Sequence, residues 1–193
     1  MKVVAIQGSP RHGGNTEMIL DAVLAGLADG SKGDFTFTLI RAAEKKLSGC
    51  QECFTCQTVS DVPGCAVKDE MQEVYTALLN TDLIILASPV FCWGLTAQIK
   101  AVLDRLYACF KLREIPPRWL LAGKRIALVL TAGGSQTEGA NLCEAVYDQL
   151  VTMSHLSDAG RLICPSLKGP RQTRSDTALL ERAQAFGKSL AGA

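Results

Sequence analysis

The sequence predicts an α/β fold built on a doubly wound parallel sheet, and three observations carry that expectation. Residues 3–6, 83–87 and 126–130 are short, almost continuously apolar runs, the pattern of strands covered on both faces. Segments of helical period lie between them. The two kinds of segment alternate along the chain, which requires right-handed crossovers.

Taken in order, residues 3–6 give the first strand. Ile19, Ala22, Val23, Gly26 and Leu27 then share one face of a helix. Residues 35–40 alternate less cleanly and read as an outer strand, and residues 71–79 supply a shorter helix. After the strand at 83–87, Leu95, Ile99, Val102, Leu103 and Leu106 form a helical stripe. Beyond 126–130, the apolar stripe Leu142, Ala145, Val146 and Leu150 marks the next helix. A weaker strand centres on Arg161-Leu162-Ile163 within residues 156–164. Leu179, Ala183, Phe186 and Leu190 form the last stripe, with Ser175 or Asp176 as its cap. Five strands fit a flavodoxin-like three-layer sandwich better than a six-strand dinucleotide fold: a five-stranded parallel sheet of order 2-1-3-4-5 with helices on both faces. No repeat or long linker interrupts the pattern, so residues 1–193 read as a single domain.

Charge narrows the function. Twenty Lys+Arg against 19 Asp+Glu leave a net charge of +1, which gives no electrostatic argument for nucleic acid or an acidic membrane as partner. The N-terminal apolar run meets Gln7-Gly8-Ser9-Pro10 before a signal-peptide core is complete. The apolar runs are also far short of the ~20 residues that span a bilayer. A cytoplasmic protein is expected.

In a sheet of this kind, ligands bind beyond the carboxyl ends of the strands. After the first strand come Gly8-Ser9-Pro10-Arg11-His12-Gly13-Gly14-Asn15-Thr16. A glycine- and hydroxyl-rich turn at a helix N-terminus attracts anions, because free N–H groups and the helix dipole point the same way. Ser9, Asn15 and Thr16 add donors and Arg11 a charge, although Asn15 and Thr16 also suit plain helix capping. The dinucleotide G-x-G-x-x-G spacing is absent, and Gly14 stands where a nucleotide-triphosphate loop needs lysine. One phosphate monoester suits the loop. After the third strand, Pro89, Val90, Phe91, Cys92, Trp93 and Gly94 present an aromatic pair, either to a flat ligand or to a neighbouring loop or subunit. After the fourth, Thr131, Gly133 and Gly134 allow close backbone approach or serve as a connector. Together these loops imply a flat heterocycle carrying one phosphate, and flavin mononucleotide (FMN) is the candidate.

Gly8-Ser9-Pro10-Arg11 with Gly14-Asn15-Thr16, then Ser88-Pro89-Val90-Phe91, Ala97-Gln98-Ile99-Lys100 and Asp104-Arg105 resemble the NADPH-dependent FMN reductase family, including its iron–sulfur flavoprotein branch. The resemblance implies FMN held non-covalently, its phosphate at Ser9, Arg11, Asn15 and Thr16 and its ring along residues 89–94. Phe91 stands where relatives often carry Tyr, and Cys92 where a second aromatic is common. Asp104 and Arg105 are expected to fix the helix or a subunit contact. The implied activity is an oxidoreductase that takes hydride from NAD(P)H and reduces a small acceptor such as a flavin or quinone, with no side chain needed as acid or base. A homodimer or homotetramer is also implied. Leu106, Tyr107, Phe110 and Trp119-Leu120-Leu121 serve either such contacts or internal packing.

Four of the eight cysteines, Cys50, Cys53, Cys56 and Cys65, fall within sixteen residues. Their spacing resembles the compact motif of the iron–sulfur branch, which implies a [4Fe–4S] cluster and an electron carrier for other redox proteins as the alternative function. Tetrahedral zinc uses the same ligands, and free thiols bordering the active site are the third reading. Cys109, Cys143 and Cys164 read as buried thiols. Glu17 and Asp21 are placed on the solvated side of the first helix; His12, in the phosphate loop, either adds a donor or is an exposed bystander, and His155 has no partner suggesting catalysis.

Overall fold

A computed structural model describes residues 1–32 and 35–192. Five parallel strands form the sheet: β1 (Lys2–Gln7), β2 (Thr36–Arg41), β3 (Leu83–Phe91), β4 (Arg125–Thr131) and β5 (Ser157–Cys164). Their spatial order is β2-β1-β3-β4-β5, the 2-1-3-4-5 order expected. Five α-helices cover it: α1 (Asn15–Gly30), α2 (Met71–Leu79), α3 (Ala97–Arg105), α4 (Asn141–Met153) and α5 (Thr177–Ala191).

The strand pleat divides the core. Val3, Ala5, Leu83, Ile85, Ala127 and Val129 face α1 and α5. Val4, Ile6, Ile84, Leu86, Ile126 and Leu128 face α2, α3 and α4. The middle of each central strand is therefore apolar without alternation, because successive side chains enter opposite layers. On one layer, α1 crosses α5 with the backbones in contact. A Cβ on Gly26 would lie 2.0 Å from the carbonyl oxygen of Gln184, and one on Gly187 the same 2.0 Å from that of Val23. Asp176 caps α5 by accepting from the Leu179 N–H at 3.0 Å.

Three sequence expectations are corrected. β3 runs four residues past its expected end and turns back as a hairpin, Phe91 pairing with Gly94 and Val90 with Leu95. Cys92 and Trp93 form its two-residue turn with φ of 45° and 61°, the mirror-image turn whose twist matches two strands. A second hairpin, Phe110–Lys111 against Arg118–Trp119, fills a stretch read as plain connection. Finally, α4 is rotated from its expected face: Cys143 and Tyr147 are buried, whereas Leu142 and Val146 are 52% and 44% exposed. The Tyr147 hydroxyl fixes that rotation by donating to the Asp158 carboxylate at 2.6 Å, with the Ile126 carbonyl oxygen at 2.8 Å.

No helix among the described residues is long and apolar enough to cross a membrane.

Candidate functional site

Two cavities gather most of the residues singled out in the sequence. The first, of about 240 Å³, opens at the carboxyl edge of β1, β3 and β4. It is lined by Ser9, Arg11, Gly14, Asn15 and Thr16 from the first loop, Pro89, Val90 and Phe91 from the second, and Thr131, Ala132 and Gly133 from the third. Cys92, Trp93 and Gly94 stand beyond it on the hairpin turn, and Gly134 is also outside the lining. Leu167, Lys168, Gly169 and Pro170 complete the wall. The sequence reading passed over them, though the rule that selected the other loops, applied after the fifth strand, would have found them.

The floor of this cavity is the N-terminus of α1. Its cap residue is Gly14, in extended conformation and without a side-chain hydrogen bond. The first-turn N–H groups therefore lack the side-chain acceptor a helix normally supplies, which is the condition for anion binding. Gly8 brings the loop against α3, since a Cβ there would sit 2.3 Å from Ile99 Cγ1. Thr96, the cap of α3, donates its hydroxyl to the Gly8 carbonyl at 3.0 Å.

The side chains expected to hold phosphate differ in their freedom. Arg11 is exposed and Ser9 buried, the Ser9 hydroxyl accepting from the Arg11 N–H at 3.2 Å. Thr16 shares a 2.7 Å hydrogen bond with Thr131, tying two loops of the lining together. Asn15 is spent otherwise: its amide donates to the Gly169 carbonyl at 2.7 Å and its oxygen accepts from Thr173. It anchors the fourth wall and leaves only its backbone for a ligand. Glu17 is not solvated as expected. It accepts from the Gly13 N–H at 2.7 Å and pairs with Arg41, and chiefly the Arg41 hydrogen bond holds its carboxyl below the usual range. Asp21 remains exposed. His12 is exposed beside Glu44, and His155 packs on the Trp119 ring with centroids 4.1 Å apart.

The second cavity, of about 490 Å³, gathers the four clustered cysteines. Cys50 and Cys53 are exposed, Cys65 is half-buried and Cys56 buried. Glu52 and Phe54 hold left-handed φ of 52° and 57°, bending the chain between the thiols at a cost of about 1–2 kcal/mol each. Gln57 locks the loop to the second hairpin: its amide donates to the Phe110 carbonyl at 2.7 Å, and its oxygen accepts from the Leu112 N–H at 3.1 Å. The Thr55 hydroxyl and N–H hold the Cys53 thiol below its ordinary value.

The wall behind these thiols is cationic. Arg105, 1% exposed, contacts both carboxylate oxygens of Asp69, at 2.7 and 2.6 Å, and donates to Cys65 Sγ at 3.4 Å. Its Nε has no hydrogen-bond partner among the described residues. Lys111, also 1% exposed, donates to the carbonyls of Cys56 at 2.9 Å and Pro63 at 3.2 Å. Burial lowers the Lys111 pKa, opposed by the neighbouring Cys56 and Cys109. Cys109, deeper still, is pushed up to about 12 by burial. Neither Lys111 nor Gln57 figures in the sequence reading; the only hint is a lysine inside the apolar run Cys109-Phe110-Lys111-Leu112.

This donor set fits an anionic, thiolate-bound group: four thiols face one space, against two buried cations and an orphaned guanidinium N–H. Among the described residues no three acidic, histidine or cysteine side chains converge on a single ion. Four thiols on one cavity are the ligand set of a [4Fe–4S] cluster, one thiolate per iron, and the same four suit tetrahedral zinc. Cys109, Cys143 and Cys164 are buried as expected. Leu106 and Leu121 are buried, and Tyr107, Phe110 and Leu120 pack against the same core layer.

The model of the family described as NADPH-dependent FMN reductase matches residues 1–161. An iron-sulfur flavoprotein from Archaeoglobus fulgidus is 37% identical over 106 residues, 55% of this chain and 46% of that protein. One from Methanosarcina thermophila is 33% identical over 145 residues, 72% of this chain and 66% of that protein. The matches thus span about half to two-thirds of these relatives' lengths. An NAD(P)H:quinone oxidoreductase from Methanothermobacter marburgensis has the same fold, with a TM-score of 0.74 at 15% identity, covering 100% of this chain and 97% of that one.

Proposed function

The chain belongs to the NADPH-dependent FMN reductase family, and from that premise we propose that it holds FMN, accepts hydride from NAD(P)H and reduces a small acceptor such as a flavin or quinone. The observation that carries this reading is the uncapped N-terminus of α1 at the floor of a cavity walled by the loops of β1, β3 and β4. Bound FMN supplies the hydride and electron chemistry; the protein supplies anchoring, orientation and solvent exclusion. The backbone N–H groups at the start of α1, with Ser9, Arg11 and Thr16, hold the phosphate. Pro89, Val90 and Phe91 on one side and Thr131, Ala132 and Gly133 on the other form the slot for the ring. Lys168 adds a second cation to the wall.

The test is Arg11→Glu, which places a negative charge beside the phosphate. Flavin retention should be lost while the far-UV circular dichroism stays that of the wild type. Unchanged FMN affinity would remove Arg11 and its loop from the reading. The proposal includes a cytoplasmic homodimer or homotetramer, which light scattering at working concentration checks; a monomer mass would delete that part alone.

A second reading is favoured by the cysteine cavity: Cys50, Cys53, Cys56 and Cys65 hold a [4Fe–4S] cluster and the protein passes electrons to a redox partner. Anaerobic purification with a visible spectrum and iron assay decides. About four irons per chain supports the carrier. Flavin bands without iron, bleached by NAD(P)H and restored by quinone, support the reductase alone.

A further inference from the structure

We propose that Lys111 and Arg105 set the reduction potential of the group held by the cysteine cavity, Lys111 as its buried counter-charge and Arg105 as a hydrogen-bond donor to one of its sulfurs. The inference rests on the [4Fe–4S] reading.

Charge is the starting point. A [4Fe–4S] cluster with a 2+ core and four thiolates carries a net charge of about −2, and one-electron reduction makes it more negative. Such a group is held where its surroundings oppose that charge. The two acids on the lining, Glu52 and Asp104, are exposed, and Asp104 is already paired with Lys100. The buried cations are Arg105, in the lining, and Lys111, behind it on the carbonyl of Cys56.

Their roles differ. Arg105 is neutralised by Asp69, which occupies Nη1. Its Nη2 is shared between the Val67 carbonyl at 3.1 Å and Cys65 Sγ at 3.4 Å. Arg105 therefore contributes a directed N–H to a ligand sulfur more than a net charge. Lys111 is the reverse. Its Nζ is held by two carbonyls, one belonging to Cys56, and its hydrogen bonds among the described residues reach no carboxylate. An ammonium buried against two carbonyls is costly unless anions lie nearby. The Glu114 carboxylate acts on it from the hairpin but is itself paired with Arg118, which leaves the thiolates of the cavity, Cys56 first, as the main counter-charge. Both devices favour the reduced cluster, because added negative charge strengthens an N–H···S bond and the attraction to an ammonium.

The experiment uses the full chain purified anaerobically, with iron counted and the midpoint read by redox titration through visible bleaching and the electron paramagnetic resonance of the reduced state. Lys111→Met should keep its iron and move the midpoint to more negative values. At the poise where half the wild-type cluster is reduced, its reduced-to-oxidised ratio should fall about tenfold, equivalent to about 59 mV for a one-electron couple. Lys111→Arg should restore the midpoint, and Arg105→Lys, which keeps the charge but loses the fork, should shift it in the same direction by less. The flavin midpoint in the same titration should not move. Iron retained with an unshifted midpoint in both Lys111→Met and Arg105→Lys overturns the inference and leaves the cluster reading standing. Wild-type protein without iron overturns the cluster reading itself. If Lys111→Met does not fold, Arg105→Lys with Lys111→Arg as control decides alone.

Discussion

Asp69 shows how much one carboxylate can organise. It accepts two contacts from Arg105 Nη1, one from the Ser48 N–H at 2.8 Å and one from the Met71 N–H at 3.1 Å. It therefore fixes the start of α2, the segment before the cysteine loop and the end of α3 together. Burial raises its carboxyl, and the bonds from Arg105, Ser48 and Met71 outweigh that and leave it lowered. Asp69→Asn leaves Arg105 buried without its counter-charge, and breaking such a pair costs about 3–5 kcal/mol. Asp104→Asn removes an exposed partner of Lys100 and should cost about 0.5 kcal/mol or less. Urea unfolding of the two apoproteins checks the contrast; equal midpoints would mean the buried pair contributes no more than the surface one. Nothing in the sequence links Asp69 to Arg105, because their pairing depends on the path of two loops and not on a local period.

The helices show what can and cannot be read from a single sequence. The buried face of α1 contains its whole apolar stripe, and that of α3 contains Ile99 and Val102 of its stripe, joined by the charged Arg105 that no hydrophobic pattern selects. In α4 the stripes compete: Leu142, Ala145 and Val146 form one face and Cys143, Tyr147 and Val151 another. Hydrophobicity favours the first. The Tyr147 hydroxyl, which reaches the Asp158 carboxylate and the Ile126 carbonyl only when it faces the sheet, selects the second. Leu142→Lys should leave the unfolding free energy within about 0.5 kcal/mol, whereas Tyr147→Phe should lower it by about 1 kcal/mol. Denaturant melts decide, and a large loss from Leu142→Lys would restore the expected face. Of the α1–α5 crossing the sequence shows only Gly26 on the stripe of the first helix. Gly26→Ala gains about 1 kcal/mol of helix propensity, but its Cβ meets backbone at 2.0 Å, and overpacking of that kind costs about 1–3 kcal/mol or more. The net effect should be a lower melting temperature. The carboxyl-edge loops were legible for a different reason: topology fixes where they must meet, whatever their side chains do. Of the second cavity only the four cysteines were legible; the side chains behind them were not, since Lys111 and the Gln57 partners lie on a hairpin, Phe110 paired with Trp119, whose place against the cysteine loop no local period fixes.

Across the whole molecule, the perturbed carboxylates set the response to acid. Glu17 is lowered, first by the hydrogen bond from Arg41. Asp69 is lowered by its four contacts against the effect of burial. Asp158 is raised by burial but lowered overall by Tyr147, Gly160 and Arg161; at 39% exposure its share is discounted for solvent screening. A carboxylate whose folded pKa lies below its unfolded value stabilises the fold fully above the unfolded value, about 4, and loses that contribution as pH falls through the folded one. Asp21 acts oppositely, because partial desolvation against the protein and the neighbouring Glu17 charge raise its carboxyl: protonation there favours the folded chain, a contribution discounted for solvent screening at this exposed side chain and lost as pH rises through the folded value. Glu70, first by the Lys46 N–H, and Glu138, first by the Ser135 N–H, are lowered as well, so five groups against one make stability fall on acidification below about pH 4. Asp69→Asn should flatten that fall, since it deletes the most buried of the five carboxylates, 13% exposed. Urea midpoints of wild type and Asp69→Asn between pH 3 and 7 check this, the two curves converging toward acid as the wild type loses its ionic pair. Parallel curves across that range would mean that Asp69 is already protonated in the folded chain, and that the Arg105 charge is balanced by something else.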